Sequence, residues 1–218
     1  MRAVHIVQLG LGRVGRALIK QMLTHRRSIE ERSGLSLTYA LVSDSRGLAW
    51  AHDGLGEEQL QGLLQAKEAG GKIADLGCGQ VKKDDEEIID RAAALGLEKV
   101  VLVDVTAAFG MAELLLQGLE RGWGVVLANK KPLVTSMSIW RRLMAVGGDR
   151  LRYEATVGAG LPIISTLKML LESGDMIRAI WGSLSGTLGY VCTRLQEGSS
   201  FSVAVAEARE RGYSEPDP

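Results

Sequence analysis

The residues best able to do chemistry fall in a few short segments of this 218-residue sequence. Gly10-Leu11-Gly12-Arg13-Val14-Gly15 fits the pattern GxGxxG, in which each glycine has a task. Gly10 permits a tight turn, Gly12 lets the backbone approach a pyrophosphate, and Gly15 lets the following helix pack closely. The N-terminus of that helix then offers unpaired N–H groups to phosphates. Asp44 could accept a hydrogen bond from a ribose 2′-hydroxyl, which favours NAD; Arg46 and Arg13 could instead hold a 2′-phosphate, which favours NADP. Asp44 lies farther from the glycines than a ribose ligand usually does, so a turn-forming role is an equal alternative, and NADP is the preferred reading. Val103-Asp104-Val105-Thr106 and Ala128-Asn129-Lys130-Lys131-Pro132 each close an apolar run, which makes Lys130 a candidate to contact an anionic ligand group. At the other end of the sequence, Glu215 and Asp217 alternate with Pro216 and Pro218 in an expected turn, a plausible grip for a cationic substrate.

Positioning these groups requires strands that end where the segments begin. Strand-length apolar runs alternate with helix-length periodic stretches, the pattern of a parallel sheet with crossover helices. The expected order is strand Val4 to Leu9, helix Val14 to about Leu23 and strand Leu37 to Val42. A polar, glycine-containing stretch from Ala51 to Gly56 follows, then helices Glu57 to Ala69 and Asp84 to Leu95. Strand Lys99 to Val103, helix Met111 to Arg121, strand Val125 to Ala128 and a helix near Ile139 to Val146 complete the series. Gly147 and Gly148 mark the expected boundary between a doubly wound α/β, Rossmann-type nucleotide-binding domain, residues 1–148, and an incomplete α+β substrate and dimerisation domain, residues 149–218. In the latter, strands are expected at Arg152 to Thr156 and Arg178 to Trp181, with helices opened by Pro162 and near Leu188 to Gln196 and Phe201 to Arg211.

Composition narrows the partners. The 26 basic and 26 acidic residues cancel, so no electrostatic footprint for nucleic acid or an anionic membrane surface exists, and small-molecule partners are expected. Cys78 and Cys192 form neither a disulfide framework nor a metal-ligand pair, which suits a reduced, cytoplasmic location. The apolar run Ala3 to Leu9 is too short for a signal sequence or a membrane span.

The segment Tyr153-Glu154-Ala155-Thr156-Val157-Gly158-Ala159-Gly160-Leu161-Pro162-Ile163-Ile164-Ser165 gives Lys130 a context. With GLGRVG, NKKP, Gly182-Ser183-Leu184-Ser185-Gly186-Thr187 and the terminal GYSEPDP, in order and at compatible spacings, the sequence resembles homoserine dehydrogenases from residue 4 to its end. The variants are similar to those of a fungal or plant-like monofunctional type. A glycine loop alone is shared by many families, but the last three segments together are specific. The resemblance implies an oxidoreductase that interconverts L-homoserine and L-aspartate 4-semialdehyde with NADP or NAD, in threonine and methionine biosynthesis. By motif match it implies that Gly10, Leu11, Gly12, Arg13, Val14, Gly15 and Thr106 hold the cofactor, and that Lys130 lies between nicotinamide and substrate in a supporting catalytic role. Gly186 and Thr187 would face the substrate, and Gly212, Tyr213 and Glu215 would hold its amino-acid end. A monovalent cation, usually sodium, would sit on the main-chain oxygens of Glu154, Val157, Ala159 and Leu161. A glycine-rich loop suits that role, because its carbonyls are free of ladder bonds and hard oxygens match a hard cation. The full-length family member is expected to be a homodimer. The family's general acid–base lysine and aspartate belong shortly after the EPDP turn, where this sequence has no residues. A truncated chain is therefore expected, with a catalytically inactive NAD(P)-binding sensor or partner protein as the alternative.

Other features read as structural. His5, His25 and His52 are scattered. Lys82 to Glu87 reads as a solvated helix start with its acids at the positive end of the dipole. Trp50, Trp123, Trp140 and Trp181 read as packing residues, and Cys192 as a buried, inert thiol.

Overall fold

The computed structural model describes residues 2–213 and divides the chain into two units, Met1–Tyr153 and Glu154–Pro218. In the first, strand β1 (Arg2–Leu9) leads into helix α1 (Arg13–Ser33) and β2 (Leu35–Ser43). There follow β3 (Gly47–Leu55), α2 (Glu57–Glu68), β4 (Gly79–Val81), α3 (Glu86–Ala94), β5 (Val100–Asp104), α4 (Met111–Glu120) and β6 (Gly124–Leu127). Two helices, α5 (Lys131–Val134) and α6 (Met137–Gly147), precede the short strand β7 (Leu151–Arg152). The seven strands form one sheet in the order β4-β3-β2-β1-β5-β6-β7.

Side chains alternate across the sheet, as the pleat requires. Val7 and Leu9 of β1 join Leu102, Leu115, Leu119 and Leu143 in one core, which is the side of α3, α4 and α6. Ile6 joins Leu11, Ile19, Leu60 and Leu63 in the other, the side of α1 and α2. Both faces of β1 and β5 are thus covered, which is why those strands read as unbroken apolar runs. The register sets Leu9 beside Ser43 on one flank and beside Asp104 on the other. Three strand ends therefore come level at the edge where the glycine turn begins.

The doubly wound Rossmann-type architecture is present, with differences at its margins. The stretch from Ala51 to Gly56, expected as a polar loop, belongs largely to β3, which pairs antiparallel with β2 and then with β4. Its apolar contribution is short, since Leu48 and Ala49 are buried but His52 and Asp53 are exposed, and that hides it from a pattern search. Helix α1 runs to Ser33 rather than ending near Leu23. Its extension carries the Arg26–Glu30 and Arg27–Glu31 pairs at i, i+4 spacing and stops at Gly34, whose φ of 65° is left-handed. The strand expected at Arg152 to Thr156 is a two-residue strand that joins the first sheet beside β6, followed by a single 3₁₀ turn at Glu154–Thr156. The units accordingly divide after Tyr153, beyond the glycine pair at 147–148.

In the second unit the described residues form helices α7 (Ile163–Glu172), α8 (Gly186–Gln196) and α9 (Phe201–Glu210). Ser185 and Ser200 cap α8 and α9, accepting bonds from the Leu188 and Val203 amides. Between these helices Val191, Ala204 and Ala208 are buried, and Arg194 bonds Glu207 at 2.7 Å. The strand expected at Arg178 to Trp181 is absent among the described residues. A strand without a neighbour leaves its amide and carbonyl groups unpaired. Its Trp181 is 91% exposed, so it does not fill the packing role expected of it. Cys192, expected to be buried, is exposed, because Val191 takes the inward position on α8.

Leu115 is fully buried in the middle of α4, so Leu115→Ala is expected to lower the unfolding free energy of the first unit by about 2–5 kcal/mol. Denaturant titration of the two chains checks this.

Candidate functional site

A cavity of about 820 Å³ lies at the carboxyl ends of β1, β2 and β5, where a ligand of an open α/β sheet sits. Its wall includes Gly10, Leu11 and Gly12 from the first turn, Asp44 after β2 and Thr106 after β5. The glycines behave as their pattern requires. Gly10 has a φ of 101°, and a Cβ there would come within 3.0 Å of the Val105 carbonyl group. A Cβ on Gly15 would collide with the Gly10 carbonyl oxygen. Nothing lies within 4 Å of where a Gly12 Cβ would be, so no part of the protein requires a glycine there, and the position faces the open space beside the cavity.

Asp44 is held from three sides. Its Oδ1 accepts from the Arg46 and Gly47 amides, both at 2.9 Å, and its Oδ2 accepts from Lys67 Nζ at 2.9 Å. Burial alone would raise its carboxyl, but Lys67 and the two amides outweigh it and hold the group below the usual carboxylate range. The turn-forming role and a place on the cavity wall therefore coexist. Arg46, Arg13, Val14, Gly15 and Lys130 lie outside the lining, while Lys67, Lys82 and Lys83 lie within it. The last two come from the run expected to be a solvated helix start. Lys82 is nearly buried and paired with Asp85, because β4 carries it to the cavity. Without a prediction of β3 and β4, no sequence signal pointed there.

A second polar cluster braces the loops after β5 and β6. Asp104 is fully buried, and burial pushes its carboxyl up against the opposing pull of Thr106 and Asn129. It accepts from the Thr106 amide at 2.9 Å, the Thr106 hydroxyl at 2.7 Å and Asn129 Nδ2 at 3.0 Å. Asn129 Nδ2 also reaches the Ala108 carbonyl at 2.9 Å, and its Oδ1 accepts from the Lys131 amide. Lys131 Nζ bonds the Ala107 carbonyl and lies over the Phe109 ring. Lys130 is exposed at the start of α5.

In the second unit the Thr187 hydroxyl donates to the Tyr213 carbonyl, and the Tyr213 ring lies 5.1 Å from that of Tyr190. Gly212 has a φ of 71°, which turns the chain after α9. Gly186 begins α8, one residue after its Ser185 cap. Glu215 and Asp217 lie outside the described residues. The Glu154 carboxylate accepts from the Ile164 and Ser165 amides at 2.8 Å each, capping α7, and Ala159 adopts a left-handed φ of 52°. Val157 and Leu161 occupy the same loop, where the Leu161 carbonyl accepts from the Ile163 amide. No helix among the described residues is long and apolar enough to cross a membrane.

Comparison with known proteins follows the two units. Residues 10–148 match a family model described as the NAD binding domain of homoserine dehydrogenase, and residues 162–218 match the model described as homoserine dehydrogenase. A bifunctional chloroplastic aspartokinase/homoserine dehydrogenase 2 from Zea mays is 37% identical over 214 residues, covering 96% of this chain and 22% of that protein. A bifunctional aspartokinase/homoserine dehydrogenase 2 from Escherichia coli is 29% identical across 100% of this chain and 26% of its own length. Among solved structures, a hyperthermophilic archaeal homoserine dehydrogenase in complex with NADPH superposes with a TM-score of 0.78 at 27% identity, over 99% of this chain and 63% of that one. The chain thus spans about a quarter or less of these curated relatives.

Two outcomes test the site. Gly12→Ala is expected to fold and melt like the wild type yet lose affinity for NADPH, whereas Gly15→Ala is expected to lower the melting temperature because its Cβ meets backbone. Thermal melts with and without NADPH separate them. For Asp44, the lowered folded value means that its contribution to stability is present above the unfolded value and is lost as pH falls through the folded one. Lys67→Met moves that loss to higher pH, which melting temperatures measured from neutral pH down to about pH 3 will show.

Proposed function

The chain belongs to the homoserine dehydrogenase family, and on that premise we propose that it takes part in the NAD(P)-dependent interconversion of L-homoserine and L-aspartate 4-semialdehyde. The carrying observation is the open cavity at three strand ends, walled by a GxGxxG turn whose second glycine faces free space. In this reading Gly10 to Gly15 receive the pyrophosphate and Thr106 the neighbouring part of the cofactor. Asp44, Arg46 and the lysines on the cavity wall form the adenosine end. NADP is preferred over NAD, since Lys67, Lys82 and Lys83 supply cations there. The bound cofactor supplies the hydride. Lys130, exposed and beside the braced Asn129 loop, contacts the anionic groups of the reacting pair in a supporting role.

The substrate domain, proposed to span residues 149–218, contributes the substrate groups. Thr187 and Gly186 face the substrate, while Gly212, Tyr213 and Glu215 hold its amino-acid end, Glu215 supplying a carboxylate for the ammonium. The main-chain oxygens of Glu154, Val157, Ala159 and Leu161 suit a monovalent cation such as sodium. They are neutral, hard donors in a loop that Ala159 turns through a left-handed conformation. The full-length member is proposed to be a cytoplasmic homodimer, with the exposed Ile180 and Trp181 available for pairing.

The test is a fluorescence titration of the purified chain with NADPH, together with an assay of homoserine-dependent NADP reduction. Saturable binding of NADPH is the expected result. Absence of NADPH binding overturns the cofactor reading, and homoserine-dependent reduction of NADP supports the assigned reaction.

A further inference from the structure

Gln8 stands in the last turn-ward residues of β1 with no exposed surface, on the face that carries α1. Its carboxamide Nε2 donates to the carbonyl oxygens of Gly10, at 2.9 Å, and Gly15, at 3.3 Å. Its Oε1 has no hydrogen-bond partner among the described residues. The unsatisfied half of a buried amide costs stability and offsets what its two bonds contribute, a cost that an apolar residue of the same size would not carry. What the glutamine does with its donor side must therefore matter more than what it does for the core.

We propose that Gln8 is a positioning residue for the cofactor: it templates the glycine turn from inside and so sets the direction of the amides that meet the pyrophosphate. This rests on the cofactor reading given above. The geometry carries the argument in two steps. A peptide unit is planar and trans, so its C=O and N–H point in opposite directions. Drawing the Gly10 carbonyl inward to Gln8 turns the Leu11 N–H outward, on the side where Gly10, Leu11 and Gly12 wall the cavity. The second bond, to the Gly15 carbonyl, fixes the first turn of α1 relative to β1, so the helix N-terminus is aimed by the same side chain. The two ends of the GxGxxG turn are thus tied to one amide group. Gly15 matters to this arrangement too. A Cβ there would lie 2.8 Å from Gln8 Nε2 and displace it, so the third glycine makes room for the glutamine as well as for the helix. Glutamine suits this task because it carries two N–H groups on one nitrogen, one for each carbonyl.

The experiment compares wild type, Gln8→Met and Gln8→Glu, all as the full chain. Methionine matches the volume, removes both bonds and also removes the unsatisfied oxygen. Glutamate keeps the shape but can donate to neither carbonyl when ionised and to only one when protonated. The expected result is a loss of NADPH affinity of about tenfold in both variants, the scale of one net hydrogen bond. NADH affinity should fall by the same factor, because the pyrophosphate is common to both. The ligand-free melting temperature of Gln8→Met is expected to stay at the wild-type value, which a merely structural role would not allow. The proposal is overturned if Gln8→Met binds both nucleotides like the wild type, or if its affinity falls only in step with a lowered ligand-free melt. Failure of both variants to fold assigns the side chain to the scaffold and overturns it equally. If the wild type binds neither nucleotide, the cofactor reading has failed, and this inference falls with it for that separate reason.

Discussion

One buried carboxylate constrains the working end of the first unit. Asp104 ends β5 in the middle of the sheet, fully enclosed, and a charge there is tolerable only if its lone pairs are occupied. The Thr106 amide and hydroxyl and the Asn129 carboxamide occupy them. Its own main-chain carbonyl receives the Ala128 and Asn129 amides, while the Val105 amide bonds the Leu9 carbonyl. Satisfying this group therefore ties together the ends of β1, β5 and β6. The loops that leave those ends, which carry Thr106 and Lys130, inherit their direction from it.

The glycine turn depends on the same edge. Gly10 passes so close to Val105 that a side chain would strike its carbonyl, and the position of Val105 is set by the bonds around Asp104. A chain of steric and polar contacts thus runs from Asn129 through Asp104 and Val105 to Gly10, and from there through Gln8 to the start of α1. Its separate parts look like local turn chemistry. Together they make the cavity wall a single braced surface, with Gly12 the one glycine of the pattern left facing open space.

The sequence was most legible where burial is two-sided. β1, β2 and β5 are covered on both faces and read as plain apolar runs, β6 reads the same way although its Val126 is exposed, and the periodic spacing of α2, α3 and α4 located them within two or three residues. Legibility failed where an element is held by its neighbours rather than by its own pattern. β3 and β4 lie toward one edge of the sheet, contribute few buried side chains and contain glycines that a pattern search reads as loop. β7 is two residues long and exists only because β6 offers a free edge. Arg178 to Trp181 shows the converse, an apolar, β-prone segment that forms no strand because no neighbouring strand lies beside it among the described residues. The site followed the same division. Its glycines were visible because their spacing is intrinsic to the turn, and Thr106 through the resemblance to homoserine dehydrogenases. Lys82 was misread because its burial depends on β4, and Gln8 passed unnoticed because a single polar residue in an apolar strand carries no periodic signal.

The remaining question is how a chain with no net charge can attract an anionic ligand. The answer lies in local arrangement. The cavity wall holds Arg16, Lys67, Lys82 and Lys83, and with them Asp44, Asp84 and Asp85. Lys67 is tied to Asp44 and Lys82 to Asp85, so two of these cations are neutralised by partners while no ligand is present, and the long-range field is weak. Those pairs lie beside a cavity, where an incoming phosphate would compete for the same ammonium groups at short range. Attraction then depends on contact rather than on steering from a distance, and it is less sensitive to salt than a broad basic patch would be. Asp44 imposes the opposing condition. Because Lys67 and two amides keep it ionised, a ribose hydroxyl can donate to it directly, whereas a phosphate must draw Lys67 away from it. A ribose hydroxyl and a phosphate thus make opposite demands on the Asp44–Lys67 pair.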